Sequence, residues 1–81
     1  MIVRLKMFAI LRERSGVSEM NLELNEGATV AAAMAEVGKR FTPVAGMLIR
    51  CAAAVNQEYA KPDARLSDGD ELALIPPVSG G

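Results

Sequence analysis

Leu66-Ser67-Asp68-Gly69-Asp70-Glu71-Leu72-Ala73-Leu74-Ile75-Pro76-Pro77-Val78-Ser79-Gly80-Gly81 closes the chain, and its reading decides the fold. Ser67-Asp68-Gly69-Asp70 is a turn signal, because short polar side chains bond their own backbone there and glycine turns freely. Glu71 to Ile75 then alternates as a strand does: Leu72 and Leu74 share one face, and Glu71, Ala73 and Ile75 share the other. Pro76 and Pro77 stop the strand, since each lacks an N–H and fixes φ near −65°. Pro77 also drives Pro76 towards extended backbone. The chain thus leaves as a stiff spacer through Val78 and Ser79 and finishes in Gly80 and Gly81, whose lack of a Cβ lets backbone thread a narrow channel. On this reading residues 1–75 form one domain. Residues 76–81 form an extended tail that presents the Gly81 carboxylate.

A terminal strand with two apolar positions needs partners upstream. Residues 2–8 supply one, with Val3, Leu5 and Met7 on the core face and Arg4, Lys6 and Phe8 on the other. Ala9 to Arg14 suits a short helix stopped by Gly16. Met20, Leu22 and Leu24 alternate with Asn21 and Glu23 in a second strand, and Asn25-Glu26-Gly27 turns the chain. Thr29 is placed to cap the main helix, in which Val30, Ala33, Met34, Val37 and Phe41 form one stripe to be buried. Lys39 and Arg40 suit its last turn. Thr42-Pro43 is expected to end the helix, and residues 43–49 read as an irregular connection. Cys51 to Asn56 reads as a strand buried on both faces because it barely alternates. A short strand near Tyr59 follows.

This order predicts an α+β chain: a mixed sheet of four to five strands with one main helix across it. The first and last strands are expected to be parallel central neighbours, linked by a right-handed crossover. That is the β-grasp, or ubiquitin-like, arrangement.

With 81 residues, 51% of them apolar, the chain suffices for one modest core. It has one cysteine and no histidine, which excludes internal disulfides, Cys/His zinc sites and Ser-His-Asp or Cys-His catalysis. Cys51, in an apolar run, is expected to be a small buried hydrophobe, and one unpaired thiol fits a cytoplasmic location. A net charge of −1 argues against a nucleic-acid partner. No apolar run reaches the ~18 residues of a membrane span, and no metal site is expected. The charge is uneven: the first fourteen residues hold four cations and one acid, whereas Glu58 to Glu71 holds five acids and two cations. Solvated surface and turn chemistry account for most of these residues.

Three stretches resemble the small subunit of molybdopterin synthase, the MoaD family. Phe8-Ala9-Ile10-Leu11-Arg12-Glu13 resembles its opening, Ala54-Val55-Asn56-Gln57-Glu58 its central segment, and Leu66 to Gly81 its closing pattern almost throughout. The thiamine-pathway sulfur carrier is similar but usually shorter, without the Pro-Pro-Val-Ser approach to the glycines. Tyr59 and Ile75 stand where the family often has other large apolar residues. The resemblance implies a ubiquitin-like sulfur carrier that binds no cofactor itself and donates sulfur without catalysing the reaction. A ubiquitin-activating-like enzyme (MoeB-like) uses ATP and Mg²⁺ to adenylate Gly81, and a sulfur donor makes the thiocarboxylate. The tail then enters the large synthase subunit (MoaE-like), in a heterotetramer of two small and two large subunits, and delivers sulfur to cyclic pyranopterin monophosphate. The expected contact surface is Phe8, Tyr59 and Ile75, with Pro76, Pro77, Val78 and Ser79 leading Gly80 and Gly81 inward. The same tail chemistry up to the adenylate also serves a ubiquitin-like protein modifier, or a sulfur carrier of thiamine or tRNA thiolation type.

Overall fold

The computed structural model describes residues 1–77. Val78, Ser79, Gly80 and Gly81, named above as tail residues, lie outside the described residues. Five strands form one sheet: β1 (Ile2–Met7), β2 (Glu19–Glu23), β3 (Ala52–Val55), β4 (Glu58–Ala60) and β5 (Glu71–Ile75). Their order across the sheet is β2-β1-β5-β3-β4. β1 and β2 pair antiparallel, with Val3 opposite Leu22 and Leu5 opposite Met20. β1 and β5 are parallel, with Leu5 opposite Leu72 and Met7 opposite Leu74. β3 runs antiparallel to both β5 and β4. This is the mixed β-grasp sheet that the sequence predicts.

Side chains alternate across a pleated strand, so these registers put one face of every strand together. Val3, Leu5, Leu22, Leu72 and Leu74 are fully buried on that face. The main helix, α2 (Val30–Arg40), contributes Val30, Ala33 and Val37 to the same cluster. Thr29 caps it: its Oγ1 accepts from the Ala32 N–H at 3.1 Å. Burying a side chain of this size contributes about 1.5–3 kcal/mol, so these positions dominate the stability.

The structure corrects the reading at several points. Met34 and Phe41 are only half-buried, because Phe41 lies beyond the helix and caps its carboxyl end through an N–H bond to the Val37 carbonyl at 2.8 Å. Pro43 does not merely end α2. It sits in the first turn of a new helix, α3 (Thr42–Ala45), where its missing N–H has no helical partner to lose. A 3₁₀ turn (Leu48–Arg50) follows, so the expected irregular connection is mostly helical. Val44 and Leu48 from this segment enter the core. Gly38 has a packing reason: a Cβ there would lie 3.4 Å from Leu48 Cδ1 and 3.6 Å from Ala45 Cβ. β3 is buried on both faces at its middle, where neighbouring Ala53 and Ala54 are both buried, but its ends are open, with Ala52 exposed and Val55 half-buried. Cys51 precedes the strand and is itself half-buried.

Asn56 latches the far hairpin to the central strand. Both residues of the β3–β4 loop have positive φ, 51° at Asn56 and 71° at Gln57, as a two-residue hairpin turn of type I′ requires. The Asn56 amide donates to Asp70 Oδ1 at 3.0 Å, and its carbonyl oxygen accepts from the Glu71 N–H at 3.0 Å. Asn56→Ala should lose these bonds and strain the turn, lowering stability by about 1–2 kcal/mol in urea unfolding. Asn56→Gly keeps the backbone geometry and should lose about half as much.

Candidate functional site

The face of the sheet turned away from α2 is built by the other half of each strand. β1 contributes Arg4 and Lys6, β5 contributes Glu71, Ala73 and Ile75, β3 contributes Ala54, and β4 contributes Tyr59. Phe8, just after β1, lies at the end where Met7 pairs with Leu74 and Ile75 follows. Phe8 is 45% exposed and Tyr59 80%, both large for aromatic side chains in a chain this small. Phe8, Tyr59 and Ile75 line one shallow depression of about 350 Å³, floored by Ala54 and Ala73. Ala54 stands directly between Tyr59 and Ala73 in the registers, and its small side chain leaves the hollow open. The three apolar residues expected at a contact surface are thus brought together. Pro76 and Pro77 continue from Ile75, half-buried and exposed respectively.

The backbone after Phe8 is bent sharply. Ala9 has φ of 49°, left-handed geometry in which an L-residue loses about 1–2 kcal/mol relative to right-handed backbone. That bend starts α1 (Ala9–Ser15) and leaves Phe8 at the surface, while Leu11 of the same helix is fully buried. Gly16, at φ of 78°, ends α1 as its sequence suggests.

A polar rim borders the depression. Lys6 Nζ lies 2.9 Å from Glu71 Oε1 and 3.6 Å from Glu19 Oε1, and Arg4 contacts Glu19 at 3.2 Å. The hydrogen bond and charge of Glu71 hold the Lys6 pKa above its ordinary value. These cations and acids match one another, so the rim adds no net charge beside the apolar hollow. Gln57 also lines the hollow; the hairpin register carries it there, and no local periodicity marks it.

A second hollow of about 400 Å³ opens on the helical side of the molecule, between α2 and the 3₁₀ turn, lined by Met34, Leu48, Ile49, Cys51 and Pro62. The Cys51 Sγ donates to the Met47 carbonyl at 3.3 Å, and partial burial raises its pKa. Among the described residues no group of acids and cysteine is arranged to hold a metal ion. Nor is any helix there long and apolar enough to cross a membrane.

Comparison with known proteins fits this geometry. The ThiS family profile matches residues 5–81. The molybdopterin synthase sulfur carrier subunit of Chlamydomonas reinhardtii is 39% identical over 83 aligned positions, covering 100% of both chains. A putative molybdopterin converting factor, subunit 1, from Pyrococcus furiosus is 34% identical with a TM-score of 0.87, covering 95% of this chain and 98% of that one. SAMP1, the small archaeal modifier protein of Haloferax volcanii, is 28% identical with a TM-score of 0.90, covering 99% of each chain.

The Cys51 environment makes a chemical prediction. A thiol whose pKa is raised holds less thiolate at neutral pH, and thiolate is the reactive form. Iodoacetamide at pH 7.5 should therefore alkylate Cys51 more slowly than free cysteine, measured by intact mass against time.

Proposed function

The chain belongs to the ThiS family, and from that premise we propose that it is the sulfur carrier and small subunit of a molybdopterin synthase. The single observation that carries this reading is the convergence of Phe8, Tyr59 and Ile75 on one exposed hollow beside the strand that leads into Pro76 and Pro77. Apolar residues gathered on an open sheet face mark a protein contact. The names of the relatives, a sulfur carrier subunit and subunit 1 of a converting factor, support a partner subunit of the same complex.

In this mechanism the carboxylate of Gly81 attacks the α-phosphorus of ATP on a separate activating enzyme with Mg²⁺, and pyrophosphate leaves. Adenylation is needed because a carboxylate is a poor electrophile. Sulfide-level sulfur from a donor then attacks the acyl carbon; the carbon–sulfur bond forms as the bond to the phosphate oxygen breaks, and AMP leaves. The resulting thiocarboxylate is a strong nucleophile that needs no basic side chain from this protein, in keeping with a sequence without histidine. Docked through Phe8, Tyr59 and Ile75, the domain directs Pro76, Pro77, Val78 and Ser79 into the large subunit. Gly80 and Gly81 pass the narrowest part, and sulfur goes to cyclic pyranopterin monophosphate to build the dithiolene. Two small and two large subunits form the complex, in the cytoplasm where a free thiol persists.

A second reading, a protein modifier joined to lysines through Gly81, is favoured by the fold likeness to the archaeal modifier. Intact mass separates the two. After incubation with ATP, activating enzyme and sulfide, the carrier should gain about 16 Da as sulfur replaces oxygen. Conjugates to other proteins without that gain would establish the modifier instead.

Deleting Gly81 should abolish sulfur transfer while unfolding stays within about 0.5 kcal/mol of wild type. Phe8→Asp should fold normally, because Phe8 is a surface residue, yet weaken binding to the large subunit by more than about 2 kcal/mol in titration calorimetry.

A further inference from the structure

The β3–β4 turn keeps a side chain where glycine would suit the backbone better. Gln57 has φ of 71°, and the second central position of a type I′ turn is one that glycine fills without steric cost. Elsewhere among the described residues the chain does use glycine at such angles: Gly16, Gly27 and Gly69 have φ of 78°, 76° and 86°. Ala9 and Asn56 also hold positive φ with a side chain, and each has a structural task. Ala9 opens α1, and Asn56 forms the latch to Asp70 and Glu71. Gln57 has no such task. Among the described residues its side chain makes no hydrogen bond, and it is exposed and outside the core. Strain held without a structural task points to function.

The position of Gln57 says which function. It lines the same hollow as Phe8, Tyr59 and Ile75, at the end away from the tail. Ala52 pairs with Ile75 and Val55 with Leu72, so the turn after Val55 lies more than about 10 Å down the sheet from Ile75. The charged groups along the hollow, Lys6 and Glu71, bond each other at 2.9 Å. The Gln57 carboxamide instead holds both a donor and an acceptor towards solvent.

We propose that Gln57 is a specificity-determining residue of the docking face, its carboxamide bonding a backbone peptide group of the large subunit at the end of the hollow away from the tail. The proposal rests on the carrier reading and adds a polar contact to the apolar one made by Phe8, Tyr59 and Ile75. A carboxamide suits a peptide group because each offers an N–H and a C=O. Apolar burial is non-directional, so three apolar residues hold a partner without fixing its rotation over the sheet. A directional bond far from the tail root fixes that rotation, and with it the line along which the tail enters the partner.

The test is titration calorimetry of full-length variants with the large subunit, beside thermal melting of each variant alone. Gln57→Gly should melt no lower than wild type, because it relieves the turn, and yet bind about five- to tenfold more weakly. Gln57→Glu keeps an acceptor but loses the donor, and should also bind at least about fivefold more weakly. Glu58→Gln, exposed in the adjacent position but not lining the hollow, should keep Kd within about twofold. A role in the fold alone would lower stability and affinity together. A lower melting temperature in Gln57→Gly, unchanged affinity in either Gln57 variant, or an equal loss in Glu58→Gln overturns the proposal. Failure of the carrier reading is visible in wild type alone, as no binding to the large subunit and no thiocarboxylate mass, and it takes the proposal with it.

Discussion

Parallel pairing of β1 with β5 is the constraint on which the rest of the structure depends. Two strands from opposite ends of the chain lie side by side at the centre of the sheet and point the same way. A parallel pair cannot be closed by a tight turn, so everything between them becomes a long crossover that carries α2 over one face. The pairing also brings both carboxyl ends to one end of the molecule, which is why Phe8 and the root of the tail are neighbours. Leu5, Met7, Leu72 and Leu74 fix the register, since a slip by one residue would turn all four out of the core.

The same alternation that builds the core builds the contact face. Each central strand gives its large aliphatic residues to α2 and its remaining side chains to the other side. On that side Ala54 and Ala73 keep the surface low between Phe8, Tyr59 and Ile75. The hollow is thus chiefly a product of strand pleat and register, with Gln57 of the β3–β4 turn at its edge. Its edges are held by geometry that L-residues adopt reluctantly: Ala9 beside Phe8, and Asn56 and Gln57 before Tyr59, all have positive φ. Backbone strain gathered at the margins of one surface is consistent with a surface whose shape matters to function.

The two ends of the domain differ as sharply as its two faces. The far end is tied down by short polar loops: the Ile2 N–H donates to Asp68 Oδ1 at 2.7 Å, and the Ser67 N–H donates to Asp70 Oδ2 at 2.7 Å. Asp68 and Asp70 thus satisfy backbone donors in the turn that leads into β5.

The sequence by itself determined the strands, the capped main helix, the inward set of Val3, Leu5, Met7, Leu72 and Leu74, and the outward direction of Phe8 and Ile75. These are local properties, set by periods of two and 3.6 and by proline and glycine. The family resemblance was also legible, in the closing segment above all. Tertiary structure decided the rest. It made helix of the segment after Pro43, because Val44 and Leu48 had a core to enter. It left Cys51 half-buried before β3, and it gave Gly38 a reason in the closeness of Ala45 and Leu48. It carried Gln57 into the hollow and set Tyr59 against Ala54 through a hairpin register that composition does not encode. Packing and strand pairing act between residues distant in the chain, and no local pattern records them.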